Sequence, residues 1–140
     1  MQKNGWNQWV CNGIECRLAE TGKMITNISN GGRALDLNEA IKLAFGNDAD
    51  TEKVGKDIEN ISMEFCKMMD SSGYHFAEFG LDLALDQQQH YWFIEANVRP
   101  TFKGFKSLDH RIYQQICYEP ILYSASNAGF GWEDSDETKI

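Results

Sequence analysis

The chain has 140 residues, of which 42% are hydrophobic, and this suffices for one domain with a buried core. Its 21 acidic residues outnumber its 13 basic ones, and the resulting formal net charge of -8 disfavours binding to nucleic acid or to an anionic membrane. No apolar run approaches the roughly 20 residues of a transmembrane helix, and the first residues lack the basic-then-apolar pattern of a signal peptide. The composition therefore predicts a cytoplasmic protein.

The cysteines give no sign of a metal site or of a disulfide framework. None belongs to a Cys-x-x-Cys pair, and no histidine lies beside them at the spacing of zinc ligands. Since a free cysteine is usually buried, we expect reduced thiols, mostly in the core, at Cys11, Cys16, Cys66 and Cys117.

Short strands and turns are expected in the first third of the chain. Residues 24–28 are partly β-branched, which indicates a strand, and they lead into the polar, glycine-containing loop 29–32. A short helix should follow. We expect Asn38 to cap it and Phe45 to end it, with Gly46 just beyond.

The clearest helix lies between residues 50 and 73. Apolar residues recur there at steps of three and four, so one face of the helix should pack on a sheet: Val54, Ile58, Ile61, Phe65, Met68 and Met69. Asp50 or Thr51 can cap its start, and Gly73 can end it.

Two strands of alternating character come next. In residues 76–85, apolar Leu81 and Leu83 alternate with Asp82 and Ala84. In residues 90–98, the same regular alternation would place four side chains on one face: Tyr91, Phe93, Glu95 and Asn97. The short polar turn 86–89 favours an antiparallel hairpin.

The C-terminal region is expected to hold one helix between irregular segments. Residues 101–107 indicate a loop rich in Lys and Phe, and Asp109 can cap a helix that Pro120 should kink or restart. Residues 127–140 are acidic and should form a flexible tail. The whole pattern predicts an α+β fold in which an antiparallel sheet packs with helices.

The hairpin brings three oxygen-bearing side chains together. Glu95 and Asn97 share a face at a spacing of about 6.5 to 7 Å, and Asp82 can lie across from them. Two carboxylates and an amide oxygen suit Mg²⁺ or Mn²⁺, which keeps coordination positions for water and phosphate. The alternative is the solvated face of a half-buried hairpin. The apolar run from Trp92 to Ile94, directly before Glu95, favours the metal site.

At these residues the sequence resembles the ATP-grasp superfamily. The segments concerned are FGLDLALD at 79–86 and WFIEANVRP at 92–100, and TNISNGG at 26–32 is similar to a stretch of RimK-type glutamate ligases and glutathione synthetases. The order of segments up to about residue 125 resembles the YheC/YheD-like proteins, which are associated with the endospore coat. The resemblance implies that residues 1–126 are the C-terminal half of an ATP-grasp domain.

The resemblance also implies roles for individual residues. Asp82, Glu95 and Asn97 would hold the Mg²⁺ ions that bridge the phosphates of ATP. Arg17 would be catalytic and face the phosphates or an acyl-phosphate, with a plain surface arginine as the alternative. Further residues would meet the nucleotide or an anionic substrate, with an ordinary turn or solvated loop as the alternative: Asn27, Gly31, Gly32, Arg99 and Lys103.

The sequence departs from the relatives at two places. NVRPTF (97–102) has no glycine after Pro100, and Ile25 stands where RimK-type ligases have an arginine. The details of the substrate loop and the glutamate specificity of those ligases therefore do not carry over.

The activity implied by the resemblance is that of a ligase. ATP would phosphorylate a carboxylate, and an amine or similar nucleophile would attack the acyl-phosphate. The chain offers no candidate for the lysines and hinge strand of the other half, so we expect a fragment with negligible catalysis, whose exposed edge favours a homodimer. The alternatives are a non-catalytic protein associated with the spore coat and a plain α+β oligomerisation domain.

Overall fold

The computed structural model describes residues 1–18 and 34–130. The elements there are short strands and helices in this order: β1 (Gln2–Lys3), β2 (Trp9–Val10), α1 (Leu37–Phe45), α2 (Thr51–Asp70), β3 (Gly80–Leu85), β4 (Tyr91–Asn97), α3 (Lys103–Leu108) and α4 (His110–Asn127). Strand β1 pairs antiparallel with β2, and β3 with β4. The predicted α+β class and the predicted hairpin are confirmed. The strand expected at 24–28 and the tail beyond residue 130 lie outside the described residues.

The N-terminal strand joins the two hairpins. Gln2 forms an antiparallel bridge with Glu78, just before β3 begins. The backbone N–H of Phe79 donates to the carbonyl oxygen of Met1 at 2.9 Å, and that of Lys3 donates to Ala77 at 2.8 Å. The first residues of the chain therefore extend the sheet on which the candidate site lies.

The core lies between the two hairpins and α2. Trp9, Cys66 and Phe79 form its buried centre, and the rings of Trp9 and Phe79 stack with their centroids 5.4 Å apart. Phe65 of α2 meets Phe79 edge-on at 5.2 Å, a contact that contributes about 0.5 to 1.5 kcal/mol beyond its buried area. This packing fixes α2 beneath the β3–β4 hairpin.

The four cysteines are free thiols, as expected, but they are not mostly in the core. Only Cys66 is buried, whereas Cys11 and Cys16 are half-buried and Cys117 is exposed. The expectation failed because Cys11 and Cys16 lie outside the helices and hairpins, and Cys117 on α4 follows the buried Ile116 and faces solvent.

Aspartates cap the long helices. Asp50 accepts a hydrogen bond from the N–H of Lys53 at 2.9 Å, and Asp109 accepts one from that of Arg111 at 2.8 Å, as predicted. The prediction of Asn38 as the cap of α1 is wrong: Asp36 caps it and accepts from the N–H of Glu39 at 2.8 Å. Asn38 already lies inside the helix, where its side chain cannot reach the free N–H groups.

Strand β4 departs from regular alternation. Asp82 pairs with Glu95 and Leu83 with Phe93, so Ile94 is an extra residue in a β-bulge. Phe93 consequently faces α2 and stacks on Phe65 at 5.0 Å, while Glu95 faces the other side. The prediction that Phe93 and Glu95 share one face is wrong.

The region after β4 is more helical than predicted. Residues 103–108 form α3 where a loop was expected, because Phe105 packs against Gly13: a Cβ atom at Gly13 would come within 2.7 Å of the Phe105 ring. Helix α4 continues through Pro120 instead of restarting there, since Ile116 and Tyr123 are buried on both sides of it. Within residues 1–18 and 34–130, no helix has the length and apolar character needed to cross a membrane.

Candidate metal centre

The β3–β4 register brings the three predicted metal ligands together. Asp82 lies opposite Glu95. The amide nitrogen of Asn97 donates to Glu95 Oε1 at 2.9 Å, so these two side chains lie on the same face. The bulge at Ile94 produces this arrangement, because it turns Glu95 away from α2 while Phe93 stays on it.

The face that carries these side chains is open. Leu81 and Leu83 are half-buried towards α2, whereas Asp82, Glu95 and Asn97 are exposed. Gly80 lies opposite Asn97 in the ladder, and a Cβ atom there would come within 2.7 Å of Pro100. The chain after β4 therefore folds back closely over the start of β3, beside the open face.

The two carboxylates repel each other. Partial burial of its carboxyl group raises the pKa of Asp82, the charge of Glu95 raises it further, and the charge of Arg17 lowers it. A hydrogen bond between the Asp82 and Glu95 side chains also raises the pKa of Asp82, because such a bond needs a proton between two carboxylates. A divalent cation at this position would remove the repulsion and the need for that proton.

Arg17, whose charge lowers the pKa of Asp82, is held by a residue that sequence reasoning missed. The Nε and Nη2 groups of Arg17 donate to Glu15 Oε1 at 3.0 and 2.9 Å. The signal for Glu15 was present in the spacing, since residues two apart in an extended segment share a face. Its burial, at 9% side-chain exposure, could not be read from the sequence.

The remaining predicted site residues do not join this cluster. Arg99 is exposed just beyond β4 and makes no ion pair with the residues that the structure describes. Lys103 is exposed at the start of α3. Three further candidates, Asn27, Gly31 and Gly32, lie outside the described residues.

Asp82, Glu95 and Asn97 suit Mg²⁺ or Mn²⁺ only if water and phosphate supply the remaining ligand atoms. Among residues 1–18 and 34–130, no three His, Cys, Asp or Glu side chains are arranged to hold a metal ion. A cation between Asp82 and Glu95 would also need the amide oxygen of Asn97, together with oxygen atoms from water and phosphate. Mg²⁺ is usually bound in this way, by one or two carboxylates plus water and substrate oxygens.

Comparison with known protein families decides the affiliation. A model of the YheC/D-like ATP-grasp family matches residues 1–126, which include both hairpins and nearly all of α4. The chain belongs to the YheC/D-like ATP-grasp family. No curated protein and no solved structure gave a significant match. Membership of this ATP-grasp family supports an ATP-binding, ligase-like fold, and the family generally binds ATP and Mg²⁺.

Proposed function

We propose that the β3–β4 hairpin holds the divalent cation of an ATP-grasp carboxylate–amine ligase or a related ligase. The observation that carries the proposal is the pairing of Asp82 with Glu95 on an open face, with Asn97 bonded to Glu95. In the proposed reaction, ATP would convert a carboxylate substrate into an acyl-phosphate, which an amine or similar nucleophile would attack.

The proposed roles follow from the side chains. Asp82 and Glu95 would bind the cation through their carboxylates, and Asn97 would present its amide oxygen. The cation, when bound, neutralises charge on the transferred phosphoryl group, and catalysis of this step depends mostly on positioning and electrostatic stabilisation. The charge of Arg17 lowers the pKa of Asp82, and the same positive charge would act on the phosphates.

The repulsion within the site supports a ligase over a non-catalytic coat protein. A purely structural hairpin gains nothing from two carboxylates opposite each other, since partial burial and the charge of Glu95 both raise the pKa of Asp82. A cation site needs that pair. Association with the spore coat, a homodimer, a cytoplasmic location and the division into residues 1–126 and a tail at 127–140 stay predictions.

Calorimetry with Mn²⁺ and ADP tests the proposed function. We expect the chain to bind ADP in the presence of Mn²⁺, and the double substitution Asp82→Asn with Glu95→Gln to weaken binding at least about tenfold, or about 1.4 kcal/mol. Replacing two carboxylates removes most of the oxygen charge that holds the cation.

A matched control removes the same charge elsewhere. Asp48 and Glu64 are exposed, and the pair of Glu64 with Lys67 is a surface ion pair of little energetic value. Asp48→Asn with Glu64→Gln should leave binding unchanged. Equal weak heats for the wild-type chain and the Asp82/Glu95 double variant would refute the metal assignment.

A further inference from the structure

We propose that Glu15 is a positioning residue of this site, which fixes the direction of the Arg17 guanidinium so that it meets the phosphates of a bound nucleotide. The inference rests on the proposed nucleotide-binding function of the hairpin and assigns a role to a side chain that is not itself a ligand.

Two hydrogen bonds join the buried Glu15 carboxylate to the exposed Arg17 guanidinium. One carboxylate oxygen, Glu15 Oε1, accepts from both Nε and Nη2 of Arg17. The Glu15 side chain is 9% exposed and that of Arg17 is 44% exposed. The buried Glu15 carboxylate therefore restrains the Arg17 guanidinium where the guanidinium reaches solvent.

Glycine at position 104 leaves room for the Glu15 carboxylate. A Cβ atom at the buried Gly104 of α3 would overlap both carboxylate oxygens of Glu15. The same helix contacts the Glu15 segment at Gly13, where Phe105 lies against the backbone. Packing on α3 thus orients Glu15 before any ligand binds. Glu15 in turn keeps Arg17 within the narrow range of positions and directions that binding requires.

The charges of Arg17 and of the three neighbouring carboxylates agree with this role. Besides the effects of partial burial and of Glu95, Arg17 lowers the pKa of Asp82 and Glu15 raises it. Glu15, Asp82 and Glu95 carry three negative charges when ionised, and Arg17 offsets one of them. The two that remain would balance the two positive charges of one Mg²⁺ ion. Among the described residues, no three His, Cys, Asp or Glu side chains are arranged to hold a metal ion, so Glu15 is not assigned as a ligand.

The pair also has a structural effect, because Arg17 neutralises a Glu15 carboxylate whose side chain is 9% exposed. Glu15 and Arg17 lie two residues apart in one segment, so their ion pair joins no two elements of the fold. What the two hydrogen bonds to one carboxylate oxygen add is a fixed direction for the Arg17 guanidinium.

A double-mutant cycle on ADP affinity in saturating Mn²⁺ tests the inference. We expect Glu15→Ala and Arg17→Ala each to weaken ADP binding at least about fivefold, and the double variant to bind no more weakly than Arg17→Ala alone. The affinity for Mn²⁺ alone should change less than about twofold, and Glu15→Gln, which keeps the acceptor oxygen, should retain most of the ADP affinity. If Glu15 acted only by its charge, Glu15→Ala would instead strengthen binding of the anionic nucleotide, and that result would overturn the inference.

A second measurement needs no ligand. In the wild-type chain the Nε–H of Arg17 is bonded to Glu15, so its NMR signal should be visible and should exchange slowly with water. Glu15→Ala should abolish it, and so should Gly104→Ala, which displaces the carboxylate without changing any charge. Gly55→Ala is the matched control, because a methyl group there meets only the Leu37 side chain, at 3.1 Å.

The two measurements separate the two claims. Absence of any ADP binding by the wild-type chain would refute the proposed function and the nucleotide-facing part of the inference, while the Arg17 signal still decides whether Glu15 holds the guanidinium. An Arg17 signal that is unaffected by Glu15→Ala, or additive losses in the double variant, would overturn the positioning role.

Discussion

Asp82 and Glu95 oppose each other across the hairpin, and their repulsion is the chemical feature from which the proposed site follows. Burial, then the charge of Glu95, raise the pKa of Asp82, and Arg17 only partly opposes this. A carboxyl group in this state binds a proton more tightly in the folded chain than in the unfolded chain. The metal-free protein should therefore show an unusual dependence of stability on pH.

The sign of that dependence is a prediction. Because the folded pKa of Asp82 lies above its ordinary value of 3.8, the stability contributed by its protonated form is fully present below pH 3.8. It is lost as the pH rises through the folded pKa. Asp82→Asn removes the titration, so its free energy of unfolding relative to wild type should be higher at neutral pH than below pH 3.8. Urea unfolding in the presence of a chelator measures this difference.

Asp86 provides a control of opposite sign. Its pKa is lowered, first by the hydrogen bond from Trp92 and then by that from the backbone of His90. Its contribution is therefore present above pH 3.8 and lost as the pH falls, so Asp86→Asn should lose stability mainly at neutral pH. If the stability difference of Asp82→Asn did not change with pH, or changed in the direction of Asp86→Asn, the raised pKa of Asp82 would be disproved.

At the scale of single residues, the sequence predicted the ligand candidates but not what surrounds them. Asp82, Glu95 and Asn97 follow from strand periodicity and a short polar turn, which are local features. Glu15 does not, because its burial depends on Gly104, far along the chain. Contacts of this kind are determined by tertiary packing and leave no local pattern.

At the scale of elements, periodicity predicted the strands of the hairpin and the long helix α2. It did not predict the β-bulge at Ile94, because Trp92, Phe93 and Ile94 are all apolar and are compatible with either face. Helix α3 was missed for a related reason: it is short and depends on the contact between Phe105 and Gly13. The caps at Asp50 and Asp109 were predictable because a capping side chain bonds to N–H groups only two or three residues away.

The bulge leads to a prediction about a deletion. Ile94 is the extra residue of β4 and is 63% exposed. Without it, Phe93 would still pair with Leu83 and Glu95 with Asp82 in a regular ladder. We therefore expect the Ile94 deletion to keep cooperative unfolding and Mn²⁺–ADP binding, with only a modest loss of stability.

Deletion of Ala96 is the comparison for this experiment. Ala96 pairs with Leu81 and packs against the core, so its loss shifts Asn97 out of register and removes a core contact. That variant should lose binding and unfold more easily. If the Ile94 deletion behaved like the Ala96 deletion, β4 would contain no bulge at Ile94.

At the scale of the whole molecule, the order of the segments indicated the family, and the match over residues 1–126 confirms it. The way in which the parts are joined was not predictable. Gln2 is 2% exposed, and its amide nitrogen donates to the Ile116 carbonyl oxygen at 3.0 Å. Its amide oxygen accepts from Asn12 at 2.7 Å. A glutamine in such a position gives no hydrophobic signal, although it joins β1 to α4.

The most direct test of the central claim locates the cation. Mn²⁺ broadens the NMR signals of nearby nuclei, so a titration of the isotope-labelled chain with Mn²⁺ and ADP maps where the ion binds. We predict the strongest broadening at the backbone amides of 80–84 and 94–98, and its loss in the variant with Asp82→Asn and Glu95→Gln. Broadening centred elsewhere, for example on the acidic start of α2, or unchanged in that variant, would contradict the assignment of Asp82, Glu95 and Asn97 as the metal ligands.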